Sequence, residues 1–253
     1  MPVHSEALEE TVITQLEPLC EHKVLYLSLA RLDEFIGGFA ASQVTLLDSS
    51  GCFVFDLVSM LCVEAIKNSN EELIFVDGGN SIDPYGIANL CKRKGYDKEH
   101  VLSQINVARA FTAYQLVTLI NDRLEEMIKK SKASTLIVSC FLDLFFDKDM
   151  AWQESFQLIK RSLAKIKKLT GKYNLITVIT NYGLAKLHFR RGLRNLMYDT
   201  PKKLVRMEER KKCIKVVLPK EDSFIYYYPV PTYQTILDEF FLGESYGKNS
   251  AHL

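Results

Sequence analysis

The 253-residue chain contains few of the residues that mark fibrous, low-complexity or disulfide-linked proteins, with 12 glycines, 7 prolines and 6 cysteines. The low glycine and proline contents exclude a collagen-like or low-complexity chain. No two cysteines form a C-x-x-C pair, so the sequence does not support a zinc site. Because most of the cysteines stand in apolar runs, we expect buried thiols in a protein of the reducing cytoplasm.

Long apolar runs, ligand-like histidine patterns and nucleophile motifs are also missing. The most apolar stretch, residues 44–66, is interrupted by Asp48, Asp56 and Glu64, so no membrane span is predicted. The N-terminus is acidic and has no apolar core, which argues against a secretory signal. The five histidines lack metal-ligand spacing and no G-x-S-x-G motif occurs, so we expect neither a metal site nor a hydrolase nucleophile.

The chain does have an ordinary globular composition, with 47% hydrophobic and 25% charged residues, which is enough for a substantial core. Its net charge of +1 conceals an asymmetry, because residues 160–220 hold 18 lysines and arginines against 3 acidic residues. That segment therefore carries +15 and the remainder −14. A basic block on an otherwise acidic chain indicates either a polyanion-binding surface or a solvated face that matches the acidic half, and composition leaves both interpretations open.

Short apolar runs alternate with helical patterns along most of the chain. Buried strands are predicted at 44–47, 73–76, 135–138 and 175–180, and helices at 53–67, 110–129 and 152–169, the last stopping at Gly171. This alternation predicts an α/β fold with a mostly parallel central sheet flanked by helices. Strands at 203–207, 212–218 and 224–230 are expected as antiparallel additions near the C-terminus. We expect one domain at 25–235, after an acidic segment (1–24) and before a C-terminal helix or tail (236–253).

The first predicted strand leads into a segment that has the position of a phosphate-binding loop but little of its chemistry. Such a loop reads G-x-x-x-x-G-K-[ST]: backbone N–H groups surround the phosphates, the lysine neutralises them and the hydroxyl holds magnesium. Only the second glycine is kept, as Gly51. The other residues of this segment that bear on the motif are Leu46, Asp48, Ser49, Ser50, Cys52 and Phe53. Leucine, cysteine and phenylalanine replace the first glycine, the lysine and the hydroxyl, and the aspartate adds negative charge where phosphate would lie.

Further segments follow this loop in a specific order. They are 75–80, 104–110, 136–138 and 178–181, and the loop is preceded at 29–38 by an L-D-x-x-x-G-G pattern. Their order and spacing resemble the ATPase core of the RecA/RadA strand-exchange recombinases, in particular the archaeal RadA group and its paralogs. The resemblance covers about residues 28 to 230 and implies a RecA-like core of the phosphate-loop type. The alternative is a different α/β fold.

The resemblance also implies that the ATPase machinery has been lost. The family's loop lysine and threonine fall on Cys52 and Phe53, its catalytic glutamate on Gly79, its magnesium-organising aspartate on Ser139 and its nucleotide-sensing glutamine on Tyr182. We therefore expect a pseudo-ATPase without nucleotide, cofactor or metal, the alternative being an ATPase with a non-standard loop. A thiol at a helix start can have a lowered pKa, but the apolar neighbours of Cys52 favour an inert buried thiol.

Two loops of the family's recombinases contact DNA. The first falls here on residues 142–149, whose acidic side chains are unsuited to contact DNA. The carboxylates favour a helix start over a metal site. Phe145 and Phe146 are candidate contacts for a partner. The second follows Asn181 and is basic. The predicted DNA-binding residues are Lys186, His188, Phe189, Arg190, Arg191, Arg194, Lys202 and Lys203. Their cations suit phosphates and their rings suit bases, whereas the alternative is a basic surface packed against the acidic half or a partner.

The family assembles when a short strand with a buried phenylalanine and alanine is added to a neighbour's sheet edge. No F-x-x-A donor occurs near the start of this chain, so long filaments of it alone are not expected, although a smaller homo-oligomer is compatible with the sequence. The aromatic segment 226–233 is expected to pack in the core, with partner docking as the alternative.

The resulting hypothesis is a catalytically inactive RecA/RadA-like paralog. It would assist DNA recombination or repair by binding DNA, a recombinase or both, without hydrolysing ATP. The alternative is a protein-only scaffold or regulator that binds a partner peptide at a sheet edge.

Overall fold

The computed structural model describes residues 23–67, 71–147, 150–182 and 191–229 and contains ten strands and eight α-helices in those ranges. The strands are β1 (Val24–Leu25), β2 (Phe39–Ala40), β3 (Gln43–Ser49), β4 (Glu72–Asp77), β5 (Ile105–Arg109), β6 (Ala133–Ser139), β7 (Ile176–Tyr182), β8 (Lys203–Glu209), β9 (Ile214–Leu218) and β10 (Ser223–Tyr227). The helices are α1 (Ala30–Ile36), α2 (Phe53–Ile66), α3 (Pro84–Lys94), α4 (Lys98–Ser103), α5 (Ala113–Thr118), α6 (Leu124–Lys130), α7 (Trp152–Lys172) and α8 (Arg191–Asp199).

Eight of the strands form one sheet in the order β10-β9-β8-β3-β7-β6-β4-β5. The six strands from β8 to β5 are parallel, whereas β9 and β10 are antiparallel. Since parallel neighbours need crossover connections, helices cover both faces of the sheet. The predicted α/β class, the mostly parallel sheet and the antiparallel strands near the C-terminus are confirmed.

The central strands pack against a hydrophobic core on each face. In β3, Leu47 belongs to the core that contains the apolar face of α2, and Leu46 belongs to the opposite core with α7 and α8. Each buried leucine contributes about 1.5–3 kcal/mol, so both faces fix the register of the strand. Within the described ranges, no helix is long and apolar enough to cross a bilayer.

Helix α7 carries the apolar stripe that its sequence predicts, with Ile159 and Leu163 buried against the sheet. Its basic side includes Lys165, which forms an ion pair of 2.7 Å with Glu125. Gly171 lies inside the last turn and does not stop the helix, contrary to the prediction. The chain leaves α7 through Asn174, whose φ of 52° is in the left-handed region.

Three other expectations from the sequence are wrong. β8 pairs parallel to β3, because α8 provides a crossover between β7 and β8. Residues 191–199 form this helix, although they were expected to belong partly to a loop. Phe145 is fully buried in the core next to Phe141, so its ring is not available to a partner.

The L-D-x-x-x-G-G pattern forms the tight turn between α1 and β2. The carboxylate of Asp33 accepts a hydrogen bond of 2.7 Å from the backbone N–H of Leu27. Gly37 and Gly38 both have positive φ, at 71° and 68°. A Cβ on Gly38 would lie 2.5 Å from Cγ1 of Val24, so this glycine is required both by its backbone conformation and by the close approach of β1.

Replacing Gly38 with alanine should lower the free energy of unfolding by about 2–5 kcal/mol, since left-handed strain and overpacking add. Gly95→Ala is the matched control, because Gly95 has a φ of 72° but no atom within 4 Å of the added Cβ. The free energy of unfolding of this control should fall only by the cost of the left-handed conformation, about 1–2 kcal/mol. Urea denaturation of both variants measures the difference, and equal losses would contradict the crowding at Gly38.

Candidate functional site

The segment between β3 and α2 lies at the carboxyl ends of the parallel strands, where open α/β sheets usually bind ligands. This loop is attached to β8 by its backbone and by one hydroxyl. The N–H of Ser50 donates to the carbonyl of Met207 at 2.9 Å, and the Ser50 Oγ accepts from the N–H of Glu209 at 2.9 Å. These bonds hold the loop against the neighbouring strand.

The carboxylate of Glu209 lies at the N-terminus of α2. Its Oε1 accepts a hydrogen bond of 2.6 Å from the backbone N–H of Phe53, the first residue of the helix. The side chain of Cys52, the residue before the helix, makes no capping hydrogen bond. Helix N-termini attract anions because their first N–H groups lack partners within the helix. Glu209 therefore supplies from β8 the negative group that a helix start in this position would otherwise take from a ligand.

Gly51 makes this contact possible. A Cβ at position 51 would overlap the Glu209 carboxylate, so the glycine leaves the space that the carboxylate fills. A second carboxyl group, that of Asp56, lies in the first turn of α2; burial raises its pKa, and the nearby Glu209 raises it further while Arg93 lowers it. A second anion at the helix start would meet repulsion from the Glu209 carboxylate.

Cys52 and Phe53 have opposite environments. Cys52 is exposed, contrary to the expectation of a buried thiol, and its Sγ lies 4.0 Å from the hydroxyl of Tyr182. Phe53 is buried, with its ring centroid 5.6 Å from that of Tyr227 on β10. The position that the resemblance equates with a magnesium-binding threonine thus contributes to core packing.

Asp48 does not lie in the loop, although the sequence placed its charge there. It is fully buried on the α8 face of the sheet and accepts hydrogen bonds of 2.6 Å from Asn181 Nδ2 and from the hydroxyl of Tyr198. Burial and the adjacent carboxylate raise the pKa of Tyr198. This group ties β3 to β7 and α8.

The ends of β4, β6 and β7 carry a network of hydroxyl groups. Ser81 Oγ lies 3.0 Å from Asp77 Oδ1 and 2.7 Å from Ser139 Oγ, and its single O–H donates to one of them. Ser139 Oγ lies 3.2 Å from Thr180 Oγ1. Asp77 is fully buried and pairs with Arg109 at 3.3 Å. The described residues contain no group of three His, Cys, Asp or Glu side chains placed to hold a metal ion.

Gly79 packs directly on Cys140. A Cβ at position 79 would lie 2.5 Å from the Cys140 Cβ, so a larger side chain there requires the strand end to move. Burial, with a smaller effect from the Asp143 carboxylate, raises the pKa of the Cys140 thiol to about 11. The space beside β6 is therefore filled by an inert, neutral side chain.

The predicted DNA-binding residues fall into three groups. Lys186, His188, Phe189 and Arg190 lie outside the described residues. Arg191, Arg194 and Lys202 are exposed, the two arginines on α8. Lys203 is half-buried: its ammonium donates to the carbonyls of Ile36 at 2.6 Å and Gly38 at 2.8 Å, so it stabilises the end of α1. DNA binding by all eight residues stays a prediction, as do the domain boundaries.

Sequence reasoning missed Glu209, Ser81 and Cys140. Glu209 belongs to an acidic pair inside a basic run, and that isolated pair was the one available signal. Its role depends on β8 lying beside β3, a pairing between segments far apart in sequence.

Comparison with known proteins agrees with this architecture. The Rad51 family model matches residues 32–201. The protein is 24% identical over 162 residues to the DNA repair and recombination protein RadA of Methanococcus maripaludis strain C6, covering 60% of this chain and 50% of that protein. With the strain C5 protein of the same name it is 26% identical over 121 residues, covering 46% and 37%. The chain spans about half the length or less of these curated relatives.

The fold and the family match together place the protein among the RecA/RadA recombinase-type proteins. Within that superfamily, the chain belongs to the Rad51 family. The resemblance that the sequence segments indicated is confirmed.

Replacing Glu209 with alanine should lower the free energy of unfolding by about 0.5–2 kcal/mol, because the helix start loses its capping acceptor. Glu209→Gln keeps an acceptor oxygen, so its free energy of unfolding should fall only by the interaction between the charge and the helix dipole, about 0.3–1 kcal/mol. Glu221→Ala, at an exposed position in the β9–β10 turn, is the control and should stay within about 0.5 kcal/mol of the wild type. Urea denaturation checks all three; an unchanged Glu209→Ala variant would mean that the contact does not form in solution.

Proposed function

We propose that the protein is a Rad51-family member that does not hydrolyse ATP and serves as an accessory factor in DNA recombination or repair. The observation that carries this proposal is the Glu209 carboxylate at the N-terminus of α2, in the place where a phosphate-binding loop would hold its ligand. The protein would bind DNA, a recombinase or both.

Under this proposal, several groups that phosphoryl transfer needs are replaced by residues that cannot supply the same chemistry. That chemistry depends on positioned cations and metal ions. Cys52 provides no fixed positive charge, and Phe53 provides no hydroxyl and is buried. Gly79 and Ser139 stand where the family resemblance expects a glutamate and an aspartate. With Glu209 already beside the loop, triphosphate would have to displace a carboxylate without a lysine to attract it.

Two observations support DNA as a ligand. The curated relatives are named DNA repair and recombination proteins, and α8 presents Arg191 and Arg194 to solvent directly after the basic segment 183–190. Arginine binds phosphate oxygens through two parallel hydrogen bonds. This arrangement suits contact with a nucleic-acid backbone.

The test is a titration of labelled single-stranded and double-stranded DNA at several salt concentrations, with and without ATP and Mg²⁺. We expect binding that weakens steeply with salt and does not change with ATP. Changing Arg190, Arg191 and Arg194 together to alanine should reduce the salt slope on duplex DNA by up to about 2.7, since each phosphate contact contributes about 0.9.

A matched control changes three exposed cations on the other face of the sheet, Lys92, Arg93 and Lys98, to alanine and should leave the slope unchanged. Absence of DNA binding at low salt would refute the DNA part of the proposal. Release of inorganic phosphate from ATP in the presence of Mg²⁺ would refute the pseudo-ATPase part and favour an ATPase with a non-standard loop, and a rise in melting temperature with ATP and Mg²⁺ would show that nucleotide binds.

A second candidate function, a scaffold that binds a partner peptide, is favoured by the open edge of β5. Among the strands that the structure describes, β5 pairs with β4 alone. The N–H of Leu73 donates to the carbonyl of Gln104, and the N–H of Ala110 donates to the carbonyl of Asp77. In a parallel pair, the even-numbered residues of β5 therefore direct their backbone N–H and C=O groups toward β4. The N–H and C=O of Val107 therefore point away from the sheet, and its side chain is 46% exposed.

Under this second function, a synthetic peptide with an F-x-x-A sequence should bind the wild type. Val107→Pro should abolish binding, because proline removes an outward N–H without breaking a β4–β5 hydrogen bond. Val107→Thr keeps the N–H and is the control. Fluorescence anisotropy measures the affinity, and equal binding to both variants would exclude the β5 edge.

A further inference from the structure

Strands β9 and β10 present an aromatic surface on one face of the sheet. Ile225 and Tyr227 pack toward the core on the α2 side. The alternate residues point to the opposite face, and they are exposed by 53% at Phe224, 36% at Tyr226 and 58% at Tyr228. We call these three side chains the aromatic row. Residues two apart in a strand point to the same side, and the rings of Phe224 and Tyr226 contact each other edge to face, with their centroids 5.7 Å apart.

Cations accompany the aromatic row. The Nζ of Lys215 lies 4.5 Å from the ring centroid of Phe224, and the Cζ of Arg210 lies 5.5 Å from that of Tyr226. Lys211 and Lys212 are exposed in the turn between β8 and β9. No ion pair found in the described part of the chain involves these two lysines or Lys215. The guanidinium of Arg210 also lies 4.0 Å from the Glu208 carboxylate, so the three lysines supply the positive charge that borders the rings and is available to a ligand.

The same face continues toward α8. Phe224 lies opposite Val217, which lies opposite Arg206 on β8, so the arginine is about 10 Å from the aromatic row across two strand spacings. Beyond it, the guanidinium of Arg194 lies 5.9 Å from the ring of Tyr198. The same face also holds the Glu208 carboxylate, which pairs with Arg206 at 2.7 Å, so rings and cations with one carboxylate among them extend from β10 to α8.

Exposed rings bordered by cations match the chemistry of one class of ligand. Bases stack on aromatic side chains while the phosphates between them pair with lysine and arginine. A duplex keeps its base faces stacked internally, whereas a single strand offers them to the protein. We propose that the aromatic row binds single-stranded nucleic acid by base stacking. This site is separate from the loop after β7, and the proposal deepens the DNA-binding function proposed above, on which it rests.

The test measures the affinity of a fluorescent oligodeoxythymidine for the wild type and for three single variants, Phe224→Leu, Tyr226→Leu and Tyr228→Leu. Leucine keeps apolar bulk at these exposed positions but removes the stacking surface. Each variant should bind about 5- to 150-fold more weakly, the range found for loss of one base–aromatic stack. Tyr226→Phe retains the ring and should bind like the wild type. Tyr85→Leu, at a position 84% exposed on α3, is the control for an unrelated exposed ring and should have no effect.

Two further arms separate stacking from charge. An abasic strand of the same length should bind equally to the wild type and to the leucine variants, because it offers no bases to stack. Changing Lys211 and Lys212 together to alanine should lower the salt slope by about 1.4 on single strands, at about 0.7 per phosphate contact. An oligouridine arm tells whether RNA is bound as well as DNA, and either result supports a single-strand site as long as the leucine variants lose affinity.

The outcomes distinguish this proposal from the function on which it rests. If the leucine variants bind oligodeoxythymidine as tightly as the wild type, the aromatic row is not the binding site. DNA binding elsewhere on the protein would remain supported. Equal losses on single-stranded and duplex DNA, or equal losses on the abasic strand, would also overturn the proposal for the aromatic row. Failure of the wild type to bind any DNA at low salt would remove both proposals, and the row would then be tested with an acidic peptide.

Discussion

The contact between the Glu209 carboxylate and the first N–H of α2 determines how the carboxyl edge of this sheet is organised. The negative carboxylate is attracted to the positive end of the helix dipole and accepts one hydrogen bond there. Gly51, which has no side chain, leaves the space that the carboxylate occupies. The contact exists because α8 crosses over to bring β8 in parallel beside β3. The chain itself thus places a carboxylate at this helix start, in the position where phosphate-binding loops hold a phosphate.

The sequence predicted the central strands and α7 well, because buried parallel strands and an amphipathic helix leave strong local patterns. Asp48 was misplaced although its strand was correct: the alternation of side chains puts it on the face of Leu46, away from Leu47 and the loop. The Glu209 contact could not be predicted, because it requires the pairing of β3 with a strand more than 150 residues later.

The basic block also divides in a way that composition could not show. Part of its charge is used within the fold, as Lys165 pairs with Glu125 and Lys203 binds carbonyls near α1. The rest is exposed on α8 and around β9 and β10. The block therefore combines side chains that are engaged within the fold with others that are exposed to solvent. Pairing such as this weakens in salt mainly where the groups face solvent.

The family match ends at residue 201, just before β8. The carboxylate that closes the loop and the exposed rings both come from the three strands that follow. A hairpin at the edge of a sheet can change its outward side chains without disturbing the packing of the parallel strands, because those side chains contact solvent rather than the core. The Glu209 contact and the exposed rings thus both lie in a part of the described chain that the family match does not cover, and the outward side chains there can vary without altering the packing of the parallel strands.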